Sequence, residues 1–377
     1  MRIVQTNKAY YPKVGGIETT ITTLSEGFAS KYSSDVKVLV CNHISKFKKI
    51  DKVINGVSVR YSPTWGFFSS LPLSPTYFWH LLKFKGDILH IHEPFPLADL
   101  TTEFFPGLRK KFTKIVASWH CDITRQKWAL PVYSRFIHSF LKKVDRVIVS
   151  NPHLINNSDF LSYYKDKCEV IPIGINIDWA KTPLVTNNLF DELFEHKTDA
   201  KLLFVGRLVH YKGIEFLIDA MQQVHNAVLV ILGSGPLEKE LRNRINKLKL
   251  EQRIKVINEV DEETLHNYFK SCDIFILPSV NQTEAYGIVQ IEAMACGKPL
   301  VCTELGTGTS YLNENNITGL VVPPSDSGAL ADAINKIIKD DNLRLRFGKE
   351  GKEKAFSDFT SEKMIKRTYQ LYEKLLG

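Results

Sequence analysis

Apolar residues along this chain follow two alternating patterns: short continuous runs, and longer stretches in which they recur every three or four residues. The runs predict buried strands and the wider spacing predicts amphipathic helices. In the first half, strands are predicted at residues 2–6, 36–40, 88–91, 114–117 and 146–149. A helix is predicted around Ile17, Ile21, Leu24 and Phe28. Strands alternating with helices indicate a mostly parallel sheet covered by helices.

A second series of the same kind follows a break in the pattern. The segment from about residue 176 to 199, with Pro183 and Asn187-Asn188, has no long period and is predicted to be a linker. Further strands are predicted at residues 202–205, 228–232, 254–257, 274–277 and 300–302. We therefore predict an α/β protein with two Rossmann-like parallel-sheet domains, 1–180 and 181–359, that face each other across a cleft.

Composition narrows the class of protein. The chain has 377 residues and no apolar stretch near the roughly 20 residues of a membrane helix, and its start does not resemble a signal peptide. Its six cysteines contain no close pair such as C-x-x-C. We expect reduced thiols in a cytosolic protein and no structural zinc site.

The net charge of +8 is unevenly distributed. Residues 1–183 hold 25 Lys and Arg against 14 Asp and Glu, whereas the remainder holds 24 against 27. Four cations, Arg109, Lys110, Lys111 and Lys114, follow Phe104-Phe105 closely. Such a mixture is typical of binding to an anionic membrane surface, although it also fits a solvated basic face. Nucleic acid is a weaker alternative, since no known binding motif accompanies the charge.

Two glutamates, Glu284 and Glu292, flank a largely apolar segment after the predicted strand 274–277. The helix that follows should end near Gly297, because glycine commonly terminates helices. Glu284 is therefore placed on the loop at the carboxyl end of a strand, and Glu292 inside the next helix. Ligands bind at that edge of an open α/β sheet. The two carboxylates could act as a catalytic acid and base, or accept hydrogen bonds from ligand hydroxyls.

Two cations lie at the same predicted edge. Gly206-Arg207 ends one strand and Lys212-Gly213 opens the next helix. Arginine can bind two phosphate oxygens at once and lysine supplies a point charge, so the pair suits a diphosphate. The alternative is that Arg207 caps a strand and Lys212 is solvated.

Glycine-rich turns follow two further strands. Gly15-Gly16 directly precedes the first helix, and Gly233-Ser234-Gly235 follows strand 228–232. Such turns let backbone N–H groups approach an anion, but a turn without a ligand has the same sequence. The dinucleotide fingerprint G-x-G-x-x-G is absent after the first strand, so an NAD enzyme is not expected.

Three histidines, His90, His92 and His120, fall at or near strand ends in the first half. They suggest a metal, but there is no H-E-x-x-H pair and no D-x-D triplet. We expect no metal site. His120 is predicted to hydrogen-bond a substrate, or else to be an ordinary buried polar residue.

The ordered set of these motifs resembles the retaining glycosyltransferases of family four, which have the GT-B architecture. The motifs are Gly15-Gly16-Ile17-Glu18, Gly206-Arg207, Lys212-Gly213, Gly233-Ser234-Gly235-Pro236, Pro278-Ser279, Glu284 with Glu292, and Gly319-Leu320-Val321-Val322-Pro323. Two departures are Tyr286, where phenylalanine is usual, and Glu304-Leu305-Gly306-Thr307-Gly308-Thr309-Ser310, where a D-x-G-G sequence is commoner. The latter, and residues 119–127, are similar to bacterial surface-polysaccharide mannosyltransferases.

The resemblance implies roles for particular residues. Glu284 would contact the donor sugar, Glu292 the ribose, Arg207 and Lys212 the diphosphate, and His120 the reacting sugar. Further donor contacts are implied for Gly15, Gly16, Gly206, Gly233, Val260, Tyr286, Gly287, Ile288 and Val289. Domain 1–180 would bind the acceptor and 181–359 the donor, with helix 360–377 packing back on the first domain.

The implied reaction is retaining transfer of a hexose, with mannose from GDP-mannose favoured, and no cofactor. The implied acceptor is a polyprenyl-diphosphate-linked glycan of O-antigen, capsule or exopolysaccharide synthesis. Arg109, Lys110, Lys111 and Lys114 would hold the enzyme on the inner, anionic face of the cell membrane, with no nucleic-acid partner. Three alternatives stay open: a UDP-sugar donor, a non-catalytic sugar-nucleotide-binding subunit, and a sugar-nucleotide 2-epimerase.

Overall fold

The structure, a computed structural model, describes residues 1–13, 15–68, 71–122, 130–183, 189–195 and 200–377. It divides into two compact units. The first comprises residues 1–174 and 361–377, and the second comprises residues 175–360. Each unit is built around a largely parallel sheet, so the predicted α/β class is confirmed.

The main sheet of the first unit has eight strands in the order β10-β9-β8-β7-β1-β2-β4-β3. Its neighbours are parallel except for β3 and β4, which form an antiparallel hairpin. A separate two-stranded sheet pairs β5 with β6. The strands are β1 Arg2–Asn7, β2 Asp35–Cys41, β3 Ile50–Ile54, β4 Val57–Ser62, β5 Gly66–Phe68, β6 Leu71–Leu73, β7 Gly86–Glu93, β8 Phe112–Trp119, β9 Arg146–Val149 and β10 Cys168–Val170.

Helices cover this sheet with their apolar residues facing it. In α1, Ile21, Leu24 and Phe28 recur at helical spacing and are buried. The α-helices are α1 Gly16–Tyr32, α2 Tyr77–Leu82, α3 Pro96–Phe104, α4 Leu130–Lys143 and α5 Pro152–Asn157. Short 3-10 helices span Pro106–Lys111, Leu161–Tyr163 and Lys165–Lys167.

The second unit has a six-stranded, all-parallel sheet in the order β13-β12-β11-β14-β15-β16. The chain starts at β11, adds strands on one side, and then returns to add β14 on the other. Ligands bind in open α/β sheets where the strand order reverses in this way, which here is between β11 and β14. The strands are β11 Ala200–Val205, β12 Ala227–Leu232, β13 Ile254–Ile257, β14 Ile274–Leu277, β15 Leu300–Thr303 and β16 Gly319–Val322.

Three helices of the second unit begin at aspartates that cap them. Asp261, Asp326 and Asp340 each accept a hydrogen bond from a backbone N–H of the first turn, which satisfies a group left free at a helix start. The α-helices are α6 Leu189–Leu193, α7 Ile214–Ala220, α8 Glu238–Lys247, α9 Glu262–Ser271, α10 Val289–Ala295, α11 Gly308–Leu312, α12 Ser327–Lys339 and α13 Asp341–Asp358. Short 3-10 helices span Asp178–Lys181 and His210–Lys212.

The last helix, α14 Ser361–Leu376, belongs to the first unit and packs along α1. Tyr369 stacks on Tyr32 with 3.8 Å between ring centroids. A Cβ at Gly27 would lie 2.4 Å from Ile365 Cδ1, so a larger residue there would push the two helices apart. Among the described residues no helix combines the length and apolarity that crossing a membrane requires.

The predicted linker differs from what the structure contains. The described part of residues 176–199 includes the 3-10 helix Asp178–Lys181 and α6. Trp179 stacks on His266 at 3.6 Å between centroids, and Phe190 is buried. The segment is therefore packed onto the second unit. The apolar pattern did not predict this packing, because the few large aromatic residues are too widely spaced to form a period. Asn187-Asn188 lie outside the described residues.

Candidate active site

The loop after β14 places Glu284 beside Lys212, from the turn after β11. Lys212 Nζ donates to Glu284 Oε2, and Ser279 Oγ donates to the same oxygen at 2.9 Å. Both residues are nearly buried, at 8% and 7% exposure for Lys212 and Glu284. The structure thus forms a buried ion pair at the reversal of strand order, where the sequence suggested two separate ligand contacts.

Gly213 explains how these two loops come together. It has a φ of +64°, in the left-handed region that favours glycine. A Cβ there would lie 2.1 Å from the carbonyl oxygen of Pro278. Glycine therefore permits the β11 turn to lie directly against the β14 loop, which carries Lys212 to Glu284.

Arg207 and Lys212 differ in their surroundings. Arg207 is exposed, and its Nη2 lies 3.4 Å from the hydroxyl of Tyr211. Lys212 is buried, so the alternative that it is solvated is wrong. The site accordingly holds one cation fixed by a carboxylate and one whose guanidinium faces solvent.

The neighbouring turns after β11 and β12 touch each other through glycines. Gly206 and Gly233 have φ values of +158° and +145°. A Cβ at Gly233 would lie 2.0 Å from Gly206 O, so the backbones are as close as glycine allows. Val260 follows β13 at the same edge and is half-buried.

The segment between the two glutamates is folded tightly into the second unit. Tyr286 is buried, and its ring and backbone leave room only for a glycine at position 308. Gly287 has a φ of +78°. Ile288 precedes α10 and Val289 begins it, with both half-buried. The segment therefore requires glycine at positions 287 and 308.

Glu292 lies in the first turn of α10 and is half-buried. Burial, with a smaller contribution from the nearby Glu262, raises the pKa of its carboxyl to about 7. No side chain in the described ranges hydrogen-bonds this carboxylate. It is therefore available to accept hydrogen bonds from a ligand, and its burial as a charged group costs stability.

The loop after β15, residues 304–310, hydrogen-bonds the backbone at Glu284 and Ala285. Thr307 Oγ1 donates to the backbone oxygen of Glu284 at 2.8 Å, and Gly308 N donates to Ala285 O at 2.9 Å. Glu304 Oε1 accepts from Gly306 N and from Ser310 Oγ, both at 2.8 Å. This sequence thus forms an internally bonded loop that fixes the backbone of the glutamate.

In the first unit, Gly15 is the residue before α1 and Gly16 is its first residue. The φ of Gly15 is −177°, so its extended backbone does not require glycine. A Cβ at Gly15 would instead lie 2.4 Å from a carboxylate oxygen of Glu18. Glu18 therefore covers Gly15 and partly offsets the positive end of the helix.

The strand order of this sheet reverses between β7 and β1, and the three histidines lie there. His90 and His92 belong to β7, and His120 directly follows β8. Burial lowers the pKa of His90 to about 3 and of His120 to about 4, and that of His92 well below its usual range. The described residues include no group of His, Cys, Asp and Glu able to hold a metal ion.

Two buried carboxyls near these histidines were not singled out by the sequence. Glu93 ends β7 and Asp99 lies in α3, where the charge of Glu93 acts on Asp99. Burial raises the pKa of both groups, most strongly that of Asp99, to which Tyr133 donates. One oxygen of each carboxyl, Glu93 Oε1 and Asp99 Oδ1, is buried with no hydrogen-bond partner in the described part of the chain. The only sequence signal is that Glu93 follows His90 and His92 near the end of one strand.

Most cations of the basic segment 109–114 are engaged by protein groups. Arg109 donates to the carboxylate of Asp145 at 3.1 and 3.2 Å, and Lys114 Nζ lies 3.8 Å from it. Lys111 Nζ donates to the backbone oxygen of Leu82. Three of the four cations thus have protein partners, while Lys110 is exposed. Their positive charge remains at the surface, but it is partly neutralised by Asp145.

Aromatic side chains accompany this segment in two groups, Phe78 with Trp79 and Phe105, and Phe104 with Phe136, which are called together the aromatic cluster. Phe78 stacks on Phe105 with 5.4 Å between centroids. Trp79 and Phe104 are 57% and 62% exposed. Residues 123–127, part of the sequence similar to surface-polysaccharide mannosyltransferases, lie outside the described residues.

Comparison with known proteins identifies the class. The family model "Glycosyltransferase Family 4" matches residues 14–179, and "Glycosyl transferases group 1" matches residues 185–354. The fold matches that of the crystallised Anabaena protein Alr3699/HepE in complex with UDP, with a TM-score of 0.78 over 99% of this chain and 100% of that one, at 19% identity. The molecule is therefore a glycosyltransferase with the GT-B fold.

Relatives among characterised proteins narrow the family. The chain is 31% identical to O-antigen chain mannosyltransferase C of Escherichia coli, over 100% of this chain and 99% of that protein. It is 36% identical to D-rhamnosyltransferase WbpZ of Pseudomonas aeruginosa, over 67% of this chain and 64% of that protein. The chain belongs to glycosyltransferase family 4.

Proposed function

We propose that this glycosyltransferase transfers mannose from GDP-mannose, with retention of anomeric configuration, to a hydroxyl of a lipid-linked glycan of a bacterial surface polysaccharide. The observation that carries the reaction type is the buried Lys212–Glu284 pair at the reversal of strand order. The choice of mannose is supported by the similarity to an O-antigen chain mannosyltransferase. A UDP-sugar donor is the second candidate, since the structural neighbour Alr3699/HepE binds UDP.

The proposed mechanism concentrates on the leaving diphosphate. Negative charge builds there as the bond to the sugar breaks, and fixed positive charge nearby lowers the barrier. Lys212, held in place by Glu284, and the exposed Arg207 supply that charge. Glu284 would orient the sugar through its remaining oxygen, and Glu292 would accept from the ribose hydroxyls.

We further propose front-face attack, in which the leaving phosphate takes the proton of the acceptor hydroxyl. Glu284 accepts hydrogen bonds from Lys212 and Ser279, and this suits a carboxylate that positions the sugar better than a nucleophile. A covalent sugar adduct trapped on any carboxylate would contradict this mechanism. Because two cations serve the diphosphate, turnover is expected to be unaffected by EDTA.

The donor can be identified by thermal unfolding with a panel of nucleotide sugars. A ligand at 100 times its Kd stabilises the folded state by about 2.7 kcal/mol, so GDP-mannose should give the largest rise in melting temperature. UDP-glucose and UDP-N-acetylglucosamine serve as the matched controls. A larger rise with either UDP-sugar would transfer the proposal to that donor.

The same panel separates the alternative classes of protein. A non-catalytic binding subunit would be stabilised by the donor but would release no nucleotide. A 2-epimerase would convert the sugar without needing an acceptor. Release of GDP that depends on an added lipid-linked glycan would support the transferase and exclude both.

We also propose that the first unit binds the acceptor at the inner face of the cell membrane. The support is the aromatic cluster together with the adjacent cations, which combine apolar insertion with attraction to anionic lipid. The double substitution Trp79→Ser and Phe104→Ser is expected to weaken binding to anionic vesicles by about 2 kcal/mol, or roughly thirtyfold.

The control for vesicle binding is Tyr163→Ser, because Tyr163 is 74% exposed elsewhere on the first unit. It should leave flotation with phosphatidylglycerol vesicles unchanged. Lys110→Gln should weaken binding by about 1 kcal/mol in low salt and less in high salt. If the double variant floats as well as the parent protein, the membrane proposal fails.

A further inference from the structure

A continuous series of hydrogen-bonded side chains runs through the first unit to His120. Gln5 Nε2 donates to Ser25 Oγ at 3.0 Å, and Gln5 Oε1 lies 2.8 Å from His92 Nε2. His92 Nδ1 lies 3.1 Å from His120 Nε2. Ser25, Gln5 and His92 are fully buried, so water does not compete for these bonds.

The two imidazoles meet edge to edge. Their planes differ by 11° and their centroids lie 5.4 Å apart. The separation of the centroids equals the 3.1 Å distance between the two nitrogens plus the radius of each ring. The nitrogen of one ring therefore points at the nitrogen of the other in a common plane, which is the geometry of an N–H···N hydrogen bond.

This series determines which nitrogens carry protons. In the structure the amide nitrogen of Gln5 donates to Ser25 Oγ, and with this amide orientation Gln5 presents its oxygen, an acceptor only, to His92. His92 Nε2 must therefore carry a proton. Among the described residues no carboxylate hydrogen-bonds either ring. A buried imidazole without such a partner is neutral, which leaves His92 Nδ1 as an acceptor. His120 Nε2 must then donate, and its Nδ1 is left with a free lone pair.

We propose that His92, oriented by Gln5, is a positioning residue that fixes the ring and tautomer of His120. His120 thereby presents Nδ1 as an acceptor for a sugar hydroxyl. This inference rests on the proposed function and on the place beside the reacting sugar that the family resemblance implies for His120. It adds that the accepting atom of His120 is Nδ1. It also adds that Gln5 determines this through its hydrogen bond to His92.

His90 provides a matched control within the same strand. It lies two residues from His92 on the same face of β7 and is equally buried. Its hydrogen bonds go elsewhere, to Ser118 Oγ at 2.7 Å and to the Tyr372 hydroxyl at 2.6 Å. Replacing His90 therefore removes a buried imidazole without removing a partner of His120.

The tautomer can be read directly by NMR of protein labelled with 15N-histidine, without substrate. Wild-type His92 and His120 are expected to show Nε2–H signals and unprotonated Nδ1. A His120 that carries its proton on Nδ1 would overturn the proposal. This measurement stays valid even if the protein proves to use another donor, so its failure is distinct from failure of the proposed function.

Substitutions test the consequence for turnover. His92→Phe should leave the His120 tautomer mixed and reduce kcat/KM for GDP release from GDP-mannose about tenfold, the value of one well-placed hydrogen bond. His92→Asn, whose side-chain oxygen can replace Nδ1 as acceptor, should recover most of both. His90→Phe should leave the His120 signals unchanged and the rate within about twofold. An unchanged His120 tautomer in His92→Phe would refute the assignment.

Discussion

Replacing Lys212 with methionine is expected to destabilise the protein by about 3 kcal/mol and to lower turnover by roughly 100- to 1,000-fold. Methionine fills a similar volume but leaves Glu284 as a nearly buried carboxylate whose remaining partner is Ser279. An unpaired buried charge is costly, and loss of a fixed cation at the diphosphate removes stabilisation of the transition state. Urea unfolding and nucleotide release measure the two effects separately.

The double variant Lys212→Met with Glu284→Gln distinguishes the effect of the ion pair on stability from its effect on turnover. Removing both charges should restore most of the free energy of unfolding, because replacing a buried ion pair by neutral groups is often close to neutral. Turnover should stay low. Arg207→Met is the control, since Arg207 is exposed and its loss should change stability by less than about 0.5 kcal/mol. Recovery of turnover in the double variant would mean that the pair is only structural.

Glu292→Gln is expected to stabilise the protein at pH 8 by on the order of 2 kcal/mol and to have little effect at pH 4. Burial raises the pKa of Glu292 to about 7 in the folded state, above its value in the unfolded chain. Between these values the folded state retains a proton that the unfolded state has lost. Stability is therefore lost as the pH rises through this window, and a neutral glutamine avoids that loss. Chemical unfolding at several pH values checks it.

Donor binding should show the opposite trend with pH. Ribose hydroxyls donate to a carboxylate, so binding favours ionised Glu292 and should weaken about tenfold for each pH unit below 7. Glu292→Gln should bind the donor at least tenfold more weakly at pH 8, with a flatter pH dependence. Isothermal titration with GDP-mannose measures both. Wild-type affinity that is constant between pH 5.5 and 8 would remove Glu292 from the ribose site.

The strands most visible in the sequence were continuous apolar runs. Residues 146–149, 254–257 and 274–277 were predicted with the bounds that the structure has. The run 274–277 is buried on both faces of a parallel sheet, so its pattern depends little on the rest of the fold, whereas the edge strand 254–257 is mostly half-buried. The hairpin of β3 and β4 was missed, because its first strand is mostly exposed, although Asn55-Gly56 is a typical hairpin turn.

The sequence indicated which residues gather at the sheet edges but not how they pair. Arg207 and Lys212 look equivalent in sequence, yet only Lys212 is brought to Glu284, since that contact depends on Gly213 lying against Pro278. The bond between Gln5 and His92 depends on the pairing of β1 with β7. Likewise the charges of Arg109 and Lys114 are shared with Asp145, from a different strand connection. These partners are determined by distances between different helices, strands and loops. The spacing of residues along one element does not predict such distances.

Placement of α14 in the first unit has a consequence for biosynthesis. A ribosome releases residues 1–174 first, but α1 must wait for a helix made after the whole of the second unit. Until then Phe28 lacks Tyr369 and Tyr372, and His90 lacks its bond to the Tyr372 hydroxyl. The second unit is continuous in sequence and can fold as it emerges. The half of the molecule that is translated first is thus the half completed last, and its apolar surface is the part of the nascent chain that a chaperone would need to protect.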